Sequence, residues 1–218
     1  MVDLPGWKSL AAGFALIGLL PQPPAHTLRL AATVPLAGVE GRIDHLAADV
    51  DGRRLFVAAL GNDTIEVVDL GSMRVTRSIH GVNEPQGLTY VADAKRLVVA
   101  NGGTGATQFL ETGGYDVRQT ARLSGDADNV RYDSVAKRVY VGYGNGALAV
   151  LGLDGKRLGD IPVGGHPESF QLETSGHRIF VNVPSASKIA VIDRSTSAVV
   201  ATWPVTGARA NYPMALDE

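Results

Sequence analysis

The sequence predicts an all-β fold, a β-propeller in which four complete four-stranded blades are visible. Three observations carry this. Arg54, Arg96, Arg138 and Arg178 recur at spacings of 42, 42 and 40 residues. Each arginine opens an apolar or alternating run and is flanked by further short runs of strand character, four to a repeat. Turn-forming residues separate the runs, as in Gly61-Asn62-Asp63, Asn101-Gly102-Gly103 and Gly144-Asn145-Gly146. Four short strands in about 42 residues is the signature of a propeller blade. One such sheet cannot bury both of its faces, so its neighbours must stack on it.

The elements follow in order. First strands fall at 46–50, 88–91, 130–132 and 170–172. Second strands begin at the shared arginines, for example Arg138-Val139-Tyr140-Val141. Third strands fall at 64–69, 106–110, 147–151 and 188–193, and fourth strands at 75–79, 117–123, 156–161 and 199–203. The blades therefore span about 43–84, 85–126, 127–166 and 167–209. No stretch after residue 27 has the length and period of the helix that an α/β crossover needs.

The two ends do not match. Residues 28–36 resemble a fourth strand and residues 211–217 a first strand, so both are expected as end strands. The ring is therefore expected to be incomplete at the C-terminus, because an open edge invites unwanted pairing. Residues 1–27 read as a leader: Lys8 precedes the apolar run 10–20, followed by Pro21, Pro23 and Pro24. That run is too short to span a bilayer but suits a signal peptide, which places the protein in the periplasm or outside the cell. No other segment is long and apolar enough to cross a membrane.

Of the 218 residues, 45% are hydrophobic and 19% charged, a globular balance. The net charge of −2 gives no electrostatic footing for nucleic acid. The chain has no cysteine, which excludes thiol nucleophiles, disulfides and cysteine-ligated metal together.

The stretches Arg138-Val139-Tyr140-Val141-Gly142, Arg178-Ile179-Phe180-Val181-Asn182, Lys188-Ile189-Ala190-Val191-Ile192-Asp193 and the run from Asn62 to Asp69 carry a family resemblance. They resemble the YVTN β-propeller repeat of bacterial YncE-like proteins. The resemblance extends over residues 28–218 and implies a seven-bladed, periplasmic or secreted ring, of which about three blades lie beyond this sequence. It implies no particular chemistry.

Candidate site residues come from the repeat. Ten residues before each shared arginine stand Asp44, Gln86, Asp128 and Glu168; the next positions are His45, Gly87, Asn129 and Ser169. In equivalent blades these residues ring one end of the channel. The ligand surface is expected to comprise Arg42, Asp44, His45, Asp128, Asn129, Arg131, His166 and Glu168. Arg42 and Arg131 stand outside the repeat and suit an anionic ligand. His166-Pro167-Glu168 reads first as turn geometry.

The main expectation is an exported, non-catalytic binding or scaffold propeller without a cofactor. Its partner would be a small molecule or protein at the channel entrance. The alternative is a divalent-cation-dependent hydrolase of small esters or lactones. There Asp44, Asp128 and Glu168 would supply hard oxygen ligands for Ca2+ or Mg2+, and Asp44 or His45 would act as base. Metal-dependent sugar lactonases offer a precedent by fold analogy only. The shared arginines read as structural, pairing with Asp49, Asp133 or Glu173. The Gly-rich stretches read as hairpin turns because neither opens a helix.

Overall fold

The computed structural model describes residues 28–144, 146–208 and 210–217. The leader expected over residues 1–27 lies outside them. The described strands form four antiparallel four-stranded sheets, each in sequential order. Sheet one holds β1 (Leu46–Asp49), β2 (Arg54–Ala59), β3 (Thr64–Asp69) and β4 (Arg74–Ile79). Sheet two holds β5 (Pro85–Val91), β6 (Arg96–Asn101), β7 (Ala106–Glu111) and β8 (Val117–Arg122). Sheet three holds β9 (Ala127–Asp133), β10 (Arg138–Tyr143), β11 (Ala147–Gly152) and β12 (Arg157–Pro162). Sheet four holds β13 (Phe170–Leu172), β14 (Arg178–Val183), β15 (Lys188–Asp193) and β16 (Ala198–Pro204).

The architecture is propeller-like. First strands lie side by side, β1 on β5, β5 on β9 and β9 on β13. The apolar runs of the second and third strands form the core. One cluster, with Phe56, Ile65, Leu97 and Leu110, joins sheets one and two. A second, with Val98, Phe109, Val139 and Leu151, joins sheets two and three. A third, with Tyr140, Ile161, Phe170 and Ile192, joins sheets three and four. Phe56, Phe109 and Phe170 are wholly buried, each contributing about 2 kcal/mol. Sheet stacking, rather than any one sheet, therefore makes the core.

All four shared arginines open a second strand, so the repeat register holds. Two of the expected pairings hold, and the third does not. Arg54 binds Asp49 at 2.6 Å and reaches across to the Tyr115 hydroxyl of sheet two. Arg178 binds Glu173. Arg96 instead donates to Gln119 Oε1 and to the Leu153 carbonyl of sheet three. Asp133 is held by Arg194 at 2.7 Å, not by Arg138. A guanidinium that reaches the next sheet ties blade to blade.

Among the described residues, segments 28–36 and 211–217 make no ladder pairing. Side chains hold the second of them: Asn182 Nδ2 donates to the Pro213 carbonyl at 3.0 Å and Gln171 Nε2 to the Met214 carbonyl at 3.2 Å. Among the described residues no helix is long and apolar enough to cross a membrane.

Candidate metal centre

Near the start of each sheet's inner edge lies the same irregularity, in which two residues face one residue of the second strand. Asp44 and His45 face Ala58, Gln86 and Gly87 face Ala100, Asp128 and Asn129 face Gly142, and Glu168 and Ser169 face Asn182. In the first sheet Asp44 N donates to Ala58 O (2.9 Å) and Ala58 N to His45 O (3.0 Å). In the fourth, Glu168 N donates to Asn182 O (3.1 Å) and Asn182 N to Ser169 O (2.9 Å). A β-bulge breaks the strict alternation of a strand and re-aims its side chains. The repeat thus delivers the polar pairs read from the sequence to one end of the inner strands.

Close approach of the sheets depends on Gly87. A Cβ there would stand 1.9 Å from the Asp128 carbonyl oxygen. Two residues before each bulge comes another polar tier: Arg42, Glu84, Asp126 and His166. All four line a cavity of about 530 Å³, together with Gln86, Asp128 and Glu168. An adjoining cavity of about 430 Å³ shares Arg42, Gln86, Asp128 and Glu168 and adds Asp44, His45, Asn129 and Ser169. Tyr212 borders both.

At the boundary of the two cavities, Asp128, His166 and Glu168 bring one ligand atom each within 4.8 Å of one another. Asp128 is 7% exposed, and its Oδ1 is buried with no hydrogen-bond partner. His166 Nδ1 lies 2.6 Å from the Gly144 carbonyl. Donating there would leave Nε2 free to ligate, with the backbone carbonyl in the orienting position usual for metal-bound histidines. Nε2 is 4.0 Å from Asp128 Oδ2, and Nδ1 is 3.6 Å from Asp126 Oδ2. The Asp128 carboxylate, the Gly144 carbonyl and the nearby acids push His166 up to about 9, against the effect of burial. Glu168 is also raised, by burial first and then by Asp128, Asp126 and Asp44; His166 opposes this. Such carboxylates crowd one another unless a cation joins them.

Asp44, expected among the ligands, is not part of this cluster. It pairs with Arg42 and lies 2.8 Å from His45 Nδ1, in an approach too oblique for a linear hydrogen bond. Burial would raise Asp44, but contacts from His45 and Arg42 outweigh it and hold the carboxyl below its usual range. The same pairing raises Arg42. His166 takes the place in the cluster that Asp44 was expected to fill.

Arg131 lines neither cavity. It lies over the Phe170 ring at 5.7 Å and donates to Gln171 Oε1 at 3.3 Å, and burial lowers its pKa. The remaining expected residues, Arg42, Asp44, His45, Asp128, Asn129, His166 and Glu168, do share the two cavities. Sequence reasoning missed Asp126, Tyr212 and the place of His166 in the three-residue cluster. The signal for two of these was present: positions two before the aligned acids read Arg42, Glu84, Asp126 and His166, all polar.

No protein-family model matches the sequence, and no curated protein matches it either. Among solved structures, the fold is similar to hydrazine synthase of Kuenenia stuttgartiensis, with a TM-score of 0.68 and 15% sequence identity. The match covers 73% of this chain and 48% of that one, so it spans about half the length of the structure it resembles. At that identity the likeness concerns the fold alone.

Proposed function

We propose that the protein holds a divalent cation at Asp128, His166 and Glu168 and uses it to hydrolyse small esters or lactones. The observation that carries this reading is the convergence of those three ligand atoms within 4.8 Å, around a buried carboxylate whose second oxygen has no partner. Such an oxygen costs about 1–3 kcal/mol unless something pairs with it. One imidazole beside two carboxylates moves the preference from Ca2+ or Mg2+ towards Mn2+ or Zn2+.

A bound cation would polarise an ester carbonyl and lower the pKa of water. The chain's own residues supply the rest. With Nδ1 turned to Asp44, His45 can take a proton from the attacking water on Nε2. The acyl carbon–oxygen bond then breaks, and the leaving alkoxide accepts that proton. The walls are mostly polar, with Gln86, Asn129 and Ser169 beside the acids, which suits a small polar substrate better than a long acyl chain.

On this reading the four sheets are YVTN-type blades of a seven-bladed ring in the periplasm or outside the cell. Support comes from the matched sheets and the side-by-side first strands. The test is cation content and turnover together. The chelator-treated full chain should regain hydrolysis of p-nitrophenyl acetate or a simple lactone on adding Mn2+, and Asp128→Ala and Glu168→Ala should abolish it. One equivalent of cation with no turnover would favour the non-catalytic binding propeller. Absence of any bound cation would sink the proposal.

A further inference from the structure

The bulge that presents Asp128 also presents Asn129. Asn129 is 3% exposed, and its Oδ1 is buried without a hydrogen-bond partner. Among the described residues, the buried side-chain atoms lacking a partner are His45 Nδ1, Thr107 Oγ1, Asp128 Oδ1, Asn129 Oδ1 and Arg194 Nε. His45 Nδ1 faces the Asp44 carboxylate at 2.8 Å, whereas Asp128 Oδ1 and Asn129 Oδ1 stand on consecutive residues of one bulge at one cavity. Buried polar groups are almost always satisfied, so adjacent unpaired acceptors at a cavity wall mark a place where a donor or a cation belongs.

We infer that Asn129 is a fourth ligand of the proposed cation, binding through Oδ1; this rests on the cation site of the preceding section. Charge supports the assignment. Asp128 and Glu168 contribute −2 and a neutral imidazole contributes nothing. A neutral amide as fourth ligand leaves a divalent ion balanced. Asp44 is in any case already committed to Arg42 and His45. Position supports it too. Asp128 and Glu168 border both cavities, while Asn129 borders only the cavity that holds His45. His166 and Asn129 would then approach the ion from opposite cavities. One nitrogen and three oxygens fit Mn2+ better than an all-oxygen Ca2+ site or a sulfur-and-nitrogen Zn2+ site.

The consequence separates a ligand from a structural residue. Among the described residues, no side-chain hydrogen bond of Asn129 occurs that its removal would break. Asn129→Ala should therefore leave the cation-free melting temperature unchanged or raise it, while weakening Mn2+ binding roughly tenfold or more. Asn129→Asp should retain or tighten Mn2+ binding while lowering cation-free stability, because it buries another charge. Mn2+ titration of the full chain, read by electron paramagnetic resonance alongside thermal melts, measures both. A wild-type chain that ignores Mn2+ removes the cation site itself. A wild-type chain that binds Mn2+, with Asn129→Ala binding equally well, removes only the role of Asn129. A lower cation-free melting temperature in Asn129→Ala would show a structural role and overturn the inference.

Discussion

Replacing Gly87 by alanine should disable the proposed cation site without replacing any of its ligands. The new Cβ would lie 1.9 Å from the Asp128 carbonyl oxygen, 2.9 Å from its carbonyl carbon and 3.0 Å from Val130 Cγ2. Carbon–oxygen contacts below about 3.0 Å do not persist, so the Asp128 backbone must retreat by about 1.1 Å or more. Metal ligands tolerate only about 0.2 Å of displacement. Overpacking of this kind costs about 1–3 kcal/mol, which for a domain of this size lowers the melting temperature by roughly 2–12 °C. The variant should therefore fold, melt earlier and bind Mn2+ at least tenfold more weakly. Gly159→Ala is the control, because its Cβ would meet nothing within 4 Å. Thermal melts and Mn2+ titration of the three proteins make the comparison. A Gly87→Ala protein with wild-type affinity would refute the link between sheet approach and the site.

Further outcomes follow from the charges. His166 is raised from 6.5 to about 9, so in the cation-free protein its stabilising contribution is complete below about pH 6.5 and lost as the pH rises through 9. Melting temperatures should fall over that interval, and His166→Gln should flatten the fall. Mn2+ affinity should move the opposite way, rising towards pH 9 as His166 gives up its proton; titrations in buffers of different ionisation enthalpy would show the proton released. Arg54→Ala leaves Asp49, whose side chain is 4% exposed, with the Gly52 N–H but no cation, and should cost about 1–3 kcal/mol in denaturant unfolding. Arg138→Ala should cost less, about 1 kcal/mol, since Asp133 is held by Arg194 and, among the described residues, Arg138 acts only on the Tyr140 hydroxyl.

The blade pattern was legible because its cause is local. Each arginine precedes an apolar run that must pair and be covered, and Gly, Asn or Asp marks most of the turns between runs. The polar positions at the inner end of each sheet were legible for the same reason, since equivalent sheets repeat them. The bulges were not, because a two-against-one register leaves no residue signature when the pairs read Asp44-His45, Gln86-Gly87, Asp128-Asn129 and Glu168-Ser169. Without the bulges, alternation would send Asp128 and Asn129 to opposite faces. The choice of ligands was also hidden. Asp44 looked equivalent to Asp128, and only the contacts with Arg42 and His45 show that it is already engaged. His166 looked like part of a turn until the Gly144 carbonyl fixed its ring. Arg131 looked like an anion-binding group at the channel entrance but packs on Phe170 of the neighbouring sheet, a contact between residues 39 positions apart in the sequence.

One titration bears on the whole account: Mn2+ added to the chelator-treated full chain, with Asp128→Ala run beside it. A single bound ion per wild-type chain, absent from a folded Asp128→Ala protein, is the expected result. Stoichiometric binding that survives the loss of Asp128, or no specific binding in the wild type, would contradict a cation centre built by Asp128, His166 and Glu168.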